Sequence, residues 1–345
     1  GDVQRLKRIG SKVVIVYFLM TVIACIVGIV MVNITHPGVG FTLDNMQAFD
    51  TSKVKTPSFV NFLFDMVPVN IVDSMAKNQI MQMIFFTVLV GVALVSLGEK
   101  VAGVTKIFDQ CASIIYKMLD IVMLYSPIGV LALMANTTAV FGPKLFGVLA
   151  KFVFTDWVGC LLIWFFFSGI VWLYTKVNYL EMCKSMIPIS VNTIATNSSA
   201  GTIPITLNVT TERLKVPMSI ASFSIPLGAT INLTGAALYK TILAFFVAEI
   251  YGLQLTIDQI LMVIIISTIM SIAAPGIPGG GIVTGAIFLN LLGLPMDLMG
   301  PIAGMYRLID MSHTTVNVSG DVLGTMLVAK NENIWTGEDF NKTLV

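Results

Sequence analysis

Residues 310–321 read DMSHTTVNVSGD, a crowded polar stretch in a chain that is otherwise almost entirely apolar. Two carboxylates, a histidine, an asparagine and several hydroxyls fall within these twelve residues. In a helical register, Asp310, Thr314, Asn317 and Asp321 lie at positions 0, +4, +7 and +11, so they share one face. Isolated carboxylates are costly in a low-dielectric environment. This face therefore predicts a bound cation, a bound ammonium group or a partner of opposite charge.

The composition of the chain predicts that this polar face lies inside a membrane. Of the 345 residues, 56% are hydrophobic and 11% are charged, and the mean hydropathy is +0.89. Soluble domains carry about a quarter charged residues. Residues 13–32 contain no charge, and a helix of that length matches the hydrocarbon core of roughly 30 Å. We therefore predict an all-α polytopic membrane protein, and the net charge of +1 gives no sign of a nucleic-acid partner.

Two regions of the chain consist of short apolar arms around a polar or glycine-rich tip. Residues 180–213 contain the tip TNSSAGTIP, and residues 256–294 contain AAPGIPGGG. Each arm has about 13–15 residues, too few to cross the bilayer, so we predict two re-entrant helical hairpins. Between them, residues 217–250 form a span interrupted by GATINLTG, and residues 296–329 form the last helix. This repeat predicts a binding site between the two tips, as in many secondary transporters.

Three ionisable residues in this region have more than one interpretation. Asp310 either accepts the ammonium group of a ligand or pairs with Arg307 or His313 inside the helix bundle. His313 is a proton carrier, a neutral hydrogen-bonding wall of a pocket, or a core histidine with satisfied hydrogen bonds. Lys240 replaces a bound cation, snorkels to the membrane interface or pairs with an acid.

The polar groups fit ion and substrate binding better than catalysis. Asp321, Asn317 and carbonyls of the interrupted helix offer the hard oxygen ligands that small cations prefer, which we extend to Na⁺. The sequence contains no nucleophile–base pair, no metal-spaced set of histidines and cysteines, and no phosphate-binding loop. We therefore predict a transporter without an organic cofactor, and not an enzyme. A channel or a structural membrane protein is the alternative class.

Four motifs in order resemble the dicarboxylate/amino acid:cation symporter family, which includes glutamate transporters and neutral amino acid exchangers. They are SSAGTIP at 198–204, ATINLTGAALY at 229–239, GIPGGG at 276–281 and DMSHTTVNVSGD at 310–321. The resemblance extends over nearly the whole chain. It implies a glutamate-transporter-like fold with eight spans and two re-entrant hairpins, of which this chain is expected to lack the first two spans.

The resemblance also implies a homotrimer in a lipid membrane, in which a scaffold holds transport domains that move by an elevator mechanism. By position, residues 57–140 correspond to the scaffold and trimerisation region, and residues 1–34 with 144–330 to the transport domain. Residues 35–56 are expected to form an extracellular loop and residues 331–345 a cytoplasmic tail. Basic residues before the first span place the N-terminal end of the chain in the cytoplasm. The expected location is the inner or plasma membrane of the cell.

Matching letters carry the family's roles onto this chain. Asp310 stands where the family's aspartate takes the substrate's amino group, and Ser199 with the backbone around it stands where the first tip binds the carboxylate. The implied substrate site comprises Ser199, Ala236, Ile277, Gly281, Asp310, His313, Thr314 and Asn317. One implied sodium site comprises Gly228, Asn232, Asn317 and Asp321, and a second comprises carbonyls of Thr230, Ser271, Ile272 and Ala274. A third cation site would involve Tyr17, Thr21, Thr234 and Lys240.

Two departures from the family pattern bear on the substrate. Members that take acidic substrates have an arginine at His313, and an imidazole alone does not replace its bidentate, permanently charged fork. The same members have a threonine at Ala236. Because an unpaired, desolvated substrate carboxylate is costly, we expect a neutral amino acid. The alternative is an acidic amino acid or a C4-dicarboxylate held by Arg307 or His313.

A third departure bears on the coupling ions. The family's aspartate in the third cation site is replaced by Thr234, which removes the charge that balances a buried Na⁺. Lys240 follows shortly after and offers a fixed positive charge instead. We therefore expect coupling to fewer Na⁺ ions than in archaeal relatives, or partly to H⁺.

Overall fold

The protein is represented by a computed structural model in which residues 2–41, 63–77, 79–272, 276 and 278–342 are described. All regular elements in these ranges are helices, which confirms the predicted all-α class. The chain divides into two compact units, one of Gly1–Lys55 and Phe141–Val345, the other of Thr56–Val140. The roles of transport domain and scaffold that we assigned from the sequence stay predictions.

The helices are numbered here in chain order. They are α1 (Asp2–Thr35), α2 (Ile71–Ala76), α3 (Ile80–Leu97), α4 (Ala102–Met123), α5 (Ser126–Phe141), α6 (Lys144–Thr175), α7 (Tyr179–Thr196), α8 (Ser199–Asn208), α9 (Met218–Ile231), α10 (Thr234–Ile250), α11 (Ile257–Ile272), α12 (Gly280–Leu291), α13 (Met299–Asn331) and α14 (Gly337–Asn341). In the described residues, four helical stretches are long and apolar enough to cross a membrane: Arg8–Thr35, Met81–Ile115, Lys144–Thr175 and Met218–Ile250.

The second unit contains the pieces from α2 to most of α5. Residues 106–135 read as one span in the sequence, but the structure ends α4 at Met123 and begins α5 at Ser126. Pro127 explains the break, because proline is tolerated in the first turn of a helix but not in its interior. Apolar side chains such as Val88 and Val92 are exposed on α3.

The predicted first hairpin corresponds to α7 and α8, and its tip is built from capping residues. Asn197 adopts a left-handed conformation with φ of 51° and ends α7. Ser198 then caps α8, since its Oγ accepts a hydrogen bond from the backbone N–H of Gly201 at 3.0 Å. These two residues stop one helix and start the next within a single turn. That both arms enter the membrane from one side stays a prediction.

The other broken elements are α11 with α12, and α9 with α10. The tip between α11 and α12 includes residues 273–275 and 277, which lie outside the described residues, and ends at Gly279, with φ of 77°. Between α9 and α10, Asn232 and Leu233 have non-helical ψ angles of 59° and 60°. The backbone carbonyls at the end of α9 are therefore released from regular helical bonding.

Helix α13 lies at the centre of the first unit. It packs against α6, α7, α9, α1 and α10. Glycines allow the closest approaches: a Cβ at Gly324 would meet the ring of Tyr17 on α1, and a Cβ at Gly235 would lie 2.6 Å from the Cα of His313. The polar face of α13 is thus pressed against the interrupted helix.

The C-terminal residues pack against the rest of the first unit. Trp335 and Phe340 are buried. The Asn341 side chain accepts a hydrogen bond from the backbone N–H of Asn178 through Oδ1 and donates one to the backbone carbonyl of Lys176 through Nδ2. At the same end of the bundle, the Glu332 carboxylate receives hydrogen bonds from Arg8 and Lys12 of α1. The part of the predicted tail that is described, up to residue 342, is therefore docked.

Candidate functional site

A polar cavity lies where both helix–tip–helix units meet α10 and α13. It is lined by Asn197, Ser199, Leu233, Ala236, Gly276, Gly281, Thr284, Tyr306, Asp310, His313, Thr314 and Asn317. Seven of the eight substrate residues expected from the sequence are in this set. The eighth, Ile277, lies outside the described residues.

The two tips touch each other at the cavity. The carbonyl of Gly276 accepts hydrogen bonds from the Ser198 hydroxyl at 3.3 Å and from the Ala200 backbone N–H at 3.4 Å. A Cβ at Gly276 would lie 2.7 Å from the backbone carbonyl oxygen of Ala229 and 3.4 Å from the Cβ of Ser199. Only glycine allows the second tip to approach both the first tip and α9 this closely.

Asp310 connects α13 to the second tip. Its Oδ2 accepts a hydrogen bond from the backbone N–H of Gly279 at 3.1 Å, and the residue is 8% exposed. Thr314 and Asn317 follow on the same face, and Asn317 Oδ1 accepts the N–H of Gly235 at 2.7 Å. This bond orients the Asn317 amide and leaves its Nδ2 as the donor.

Arg307 of α13 is exposed. Its backbone carbonyl accepts a hydrogen bond from Asn197 Nδ2 at 3.0 Å. The contact between Arg307 and the first tip therefore uses the backbone of Arg307. His313 makes its ion pair with a different residue, so the pairing of Asp310 with His313 that we considered from the sequence is not the one observed.

The partner of His313 is Asp156 of α6, which our sequence analysis did not single out. The Nε2 of His313 lies 2.8 Å from Oδ1 of Asp156, and their side chains are 2% and 0% exposed. The Ser312 hydroxyl donates to Oδ2 of Asp156 at 3.1 Å, and the Cys160 thiol lies 3.9 Å from the same oxygen. Asp156 is the only acidic residue of α6, whose sequence is mostly apolar. An acidic residue within a membrane span by itself indicates a functional site.

The second ring nitrogen of His313, Nδ1, is buried and makes no hydrogen bond to any of the described residues. The rings of Tyr239 and Tyr306 pack against the imidazole, with centroids 5.3 and 6.2 Å away. His313 is thus held by Asp156 on one side and has an unused hydrogen-bonding atom in a residue that lines the cavity.

The residues of the first implied sodium site meet below the cavity. Asn232 Nδ2 donates to Asp321 Oδ1 at 2.9 Å, and a Cβ at Gly228 would collide with the Asp321 carboxylate. The remaining oxygens, Asp321 Oδ2 and Asn232 Oδ1, are buried and have no hydrogen-bond partner in the part of the chain that the structure describes. These two buried oxygens receive no hydrogen bond, and one of them belongs to a carboxylate. Such oxygens are the ligands that a hard cation prefers.

A lysine, Lys240, lies beside the residues of the second implied sodium site. Ser271 and Ile272 end α11, and Lys240 Nζ lies 3.3 Å from the Ser271 Oγ and 3.3 Å from the Ala236 carbonyl oxygen. Lys240 is completely buried, so it does not snorkel. Thr230 is exposed, with its hydroxyl on the Leu227 carbonyl, and Ala274 lies outside the described residues.

The third implied site is only partly assembled. The Tyr17 hydroxyl donates to a backbone carbonyl, that of Ser224 or Asp321, at 3.1 Å, and the Thr21 hydroxyl donates to the Tyr17 carbonyl at 2.9 Å. Thr234 Oγ1 is buried and makes no hydrogen bond within the described ranges. Lys240 does not join this group, because six residues rotate it about 240° around α10 from Thr234. Its Nζ lies at the second set of residues instead.

The sequence matches a known family and characterised relatives. The model of the sodium:dicarboxylate symporter family matches residues 1–331. A proton/glutamate-aspartate symporter of Escherichia coli (strain K12) is 32% identical over 343 residues, which cover 96% of this chain and 78% of the relative. A protein with the same description from Bacillus subtilis (strain 168) is 30% identical over 345 residues, covering 99% and 83%. A C4-dicarboxylate transport protein of the same organism is 30% identical over 342 residues, covering 96% and 80%.

Proposed function

The chain belongs to the sodium:dicarboxylate symporter family, and on that basis we propose that it couples the transport of an acidic amino acid to the movement of cations. As a member of this family it is a membrane transporter and not an enzyme. The names of its relatives include glutamate, aspartate and C4-dicarboxylates. They favour the alternative given above, an acidic substrate, over the neutral amino acid that we expected.

The observation that carries the proposal is the pair of opposite groups on one face of the cavity. Asp310 and His313 both line the cavity, and His313 is backed by the buried Asp156. In the proposed complex Asp310 accepts the substrate's ammonium group and His313 binds a second carboxylate. We expected a neutral substrate because a neutral imidazole at position 313 cannot pair with a substrate carboxylate. The Asp156 carboxylate of α6 favours the charged imidazolium form of His313, which can pair with one.

Among acidic substrates, Asp310 favours an amino acid over a C4-dicarboxylate. A dicarboxylate such as succinate has no ammonium group and would place a carboxylate near the buried Asp310. Like charges in a low-dielectric site repel strongly. Aspartate or glutamate offers both an ammonium group for Asp310 and a second carboxylate for His313.

The coupling ions that we propose are Na⁺ and H⁺. The unpartnered oxygens of Asp321 and Asn232 support one Na⁺ at the first set of residues. At the second set, the Lys240 ammonium beside Ser271 supplies a positive charge from the protein itself. This supports fewer Na⁺ ions per substrate than two complete sites would bind. Relatives described as proton/sodium-glutamate symport proteins are consistent with mixed coupling.

The larger-scale features of the proposal come from family membership. We propose a homotrimer in the plasma membrane, with residues 57–140 as the scaffold and the N-terminal end of the chain in the cytoplasm. The exposed apolar side chains of α3 need lipid or other subunits to cover them. The proposed movement is of the elevator type with the second tip as gate, and the contact through Gly276 is the one that opening would break.

Thermal stabilisation of the purified protein by a panel of substrates tests the proposal. We expect aspartate or glutamate to raise the unfolding midpoint in Na⁺ but much less in choline, and alanine and serine to have little effect. Uptake of the same substrate into proteoliposomes should require an ion gradient. Stabilisation by alanine or serine alone would restore the neutral reading, and conduction without gradient-dependent uptake would indicate a channel.

A further inference from the structure

We propose that Asp156 and His313 form a proton-loading site, in which one proton from solution binds His313 together with the second carboxylate of the substrate. Asp156 is the positioning residue of this site, since it acts through His313 and holds the counter-charge of the added proton. The inference rests on the proposed function, because it requires a substrate with a second carboxylate.

The hydrogen-bond partners of His313 determine which of its ring nitrogens carries a hydrogen. A neutral histidine has one N–H donor and one acceptor nitrogen, and only the imidazolium donates from both. The Nε2 is at 2.8 Å from a carboxylate oxygen of Asp156, and an ionised carboxylate only accepts. Nε2 therefore carries the hydrogen, and the unpartnered Nδ1 of a neutral ring is an acceptor.

A substrate carboxylate cannot bind to that acceptor. Two acceptors facing each other in a buried site would leave both unsatisfied, which costs free energy. If Nδ1 gains a proton, it becomes a donor to the substrate carboxylate while Nε2 keeps its bond to Asp156. No covalent bond other than the new N–H forms. The bound substrate and the bound proton thus require each other.

The charges around the pair support the same conclusion. An imidazolium between Asp156 and a substrate carboxylate is paired on both sides, and the Ser312 hydroxyl, which also lies 2.7 Å from the Ile309 carbonyl oxygen, is 3.1 Å from the second oxygen of Asp156. The substrate ammonium pairs with Asp310. Without the added proton, the second carboxylate would be buried beside Asp156 and Asp310 with no positive partner, which is strongly unfavourable.

Few other ionisable groups face the pair. The titratable or charged side chains around it are Cys160 of α6, Tyr239 of α10, and Tyr306, Arg307 and Asp310 of α13. Helices α9 and α12 contain no titratable residue, and α7 meets this turn of α13 through Thr193. On α10, Lys240 is bonded to Ser271 and Ala236. His313 is therefore the group whose nitrogen is free to take the proton.

Calorimetric titration with aspartate at saturating Na⁺, from pH 5.5 to 8.5, tests the proposal. Repeating it in buffers of different ionisation enthalpy counts the protons taken up. For the wild-type protein we expect about one proton per aspartate at high pH, and a Kd that rises about tenfold per pH unit there. Alanine, if it binds, should be taken up without this proton.

Three variants separate the proposed role from a merely structural one. Asp156→Asn keeps size and an acceptor but removes the counter-charge, so aspartate should bind at least about tenfold more weakly at pH 7 and the pH dependence should move to lower pH. His313→Arg supplies a permanent charge, so aspartate should bind with no proton uptake and a flat pH profile. Asp258→Asn, at an exposed carboxylate of α11, is the matched control: it makes the same chemical change away from the site, so the proton count should stay near one.

The outcomes distinguish this inference from the proposed function. If no acidic substrate binds at any pH while a neutral amino acid does, the proposed function itself fails. If aspartate binds tightly to the wild-type protein without proton uptake, the transporter reading stands and the proton-loading site is wrong. Should Asp156→Asn fail to fold, as judged by its unfolding midpoint, the proton counts of the wild-type protein and of His313→Arg decide the question.

Discussion

Asp310 and Asp156 are both buried carboxylates, but their neighbours differ. Asp310 accepts a backbone N–H from the second tip and lines the cavity. Asp156 has no place in the cavity lining and is surrounded by His313, Ser312 and Cys160. One carboxylate is therefore available to a ligand, while the other acts on the side chain next to it.

The substitution Asp310→Asn tests which substrate this arrangement selects. Losing one partner of a buried charge pair costs about 2–5 kcal/mol, so we expect aspartate to bind at least about 30-fold more weakly. Succinate has no ammonium group, so its affinity should stay the same or increase. Binding can be measured by calorimetry. Asp258→Asn, at an exposed carboxylate on α11, is the matched control, and an unchanged affinity of Asp310→Asn for aspartate would contradict the assigned role.

Sequence reasoning found the polar face of α13 but missed its partner. The spacing of Asp310, Thr314, Asn317 and Asp321 is a property of one helix, so periodicity alone predicts that they lie together. His313 and Asp156 are 157 positions apart in the chain and lie on different helices. No local sequence pattern predicts that they are in contact. The signal available was chemical, since an acid within an apolar span needs a partner.

At the scale of the elements, helix ends were easier to predict than the relations between helices. Capping and turn residues form both tips: Asn197 and Ser198 in the first, and glycines in the second. The breaks in both helix–tip–helix units can therefore be predicted from the local sequence. The sequence did not reveal that Lys240 lies against Ser271, because this depends on how α10 and α11 are rotated against each other. It also did not reveal the docking of Trp335 and Phe340.

The contact between the two tips gives a prediction at this scale. In Gly276→Ala the added Cβ would lie 2.7 Å from the Ala229 carbonyl, so the second tip should be displaced from its contact with the first tip. We expect aspartate to bind at least about tenfold more weakly, because the residues that line the cavity would move apart. Gly147→Ala on α6, where a Cβ meets nothing within 4 Å, is the control. Unchanged aspartate affinity in Gly276→Ala would mean that the tips are not in contact in the bound state.

The ends of α1 and α13 are joined by an ion cluster that gives a second prediction. Hydrogen bonds from Arg8 and Lys12 hold the pKa of Glu332 below its ordinary value. A lowered pKa in the folded state means that the stabilisation is present at neutral pH and is lost as the pH falls through that pKa. Arg8 is 62% exposed, so the contribution is about 0.5–1 kcal/mol.

We therefore expect Glu332→Gln to lower the unfolding midpoint by about 1–4 °C at pH 7. The difference from the wild-type protein should shrink as the pH falls through the lowered pKa of Glu332, because the wild-type carboxylate is then protonated too. Differential scanning fluorimetry in detergent measures both values. Glu338→Gln, at an exposed residue of α14, should leave the midpoint unchanged, and a similar loss in this control would assign the effect to net charge.

At the scale of the whole molecule, composition alone predicts the class. A chain with 56% hydrophobic and 11% charged residues has to bury its backbone hydrogen bonds inside helices and its apolar surface in lipid. The substrate was harder to predict, because the proposal of an acidic substrate rests on one charge that α6 supplies to α13. The proposed number of coupling ions rests in the same way on where α10 places its lysine.

Ion coupling gives the prediction that belongs to the whole transporter. With Lys240 occupying the second set of residues, reversal potentials in proteoliposomes should indicate fewer than three Na⁺ per aspartate, together with one H⁺. In Lys240→Met the positive charge is gone, so we expect one more Na⁺ per substrate and a steeper dependence of aspartate affinity on Na⁺. A stoichiometry of three Na⁺ in the wild-type protein would contradict this account of Lys240.

The thiol of Cys160 lies beside the same carboxylate oxygen of Asp156 that Ser312 binds. A cysteine S–H vibrates in a window of the infrared spectrum where proteins otherwise hardly absorb, and its frequency follows the strength of the local electric field. The chain therefore contains a native spectroscopic reporter next to His313. Difference spectra against Cys160→Ala would follow the electrostatics of the loaded and empty transporter without any added label.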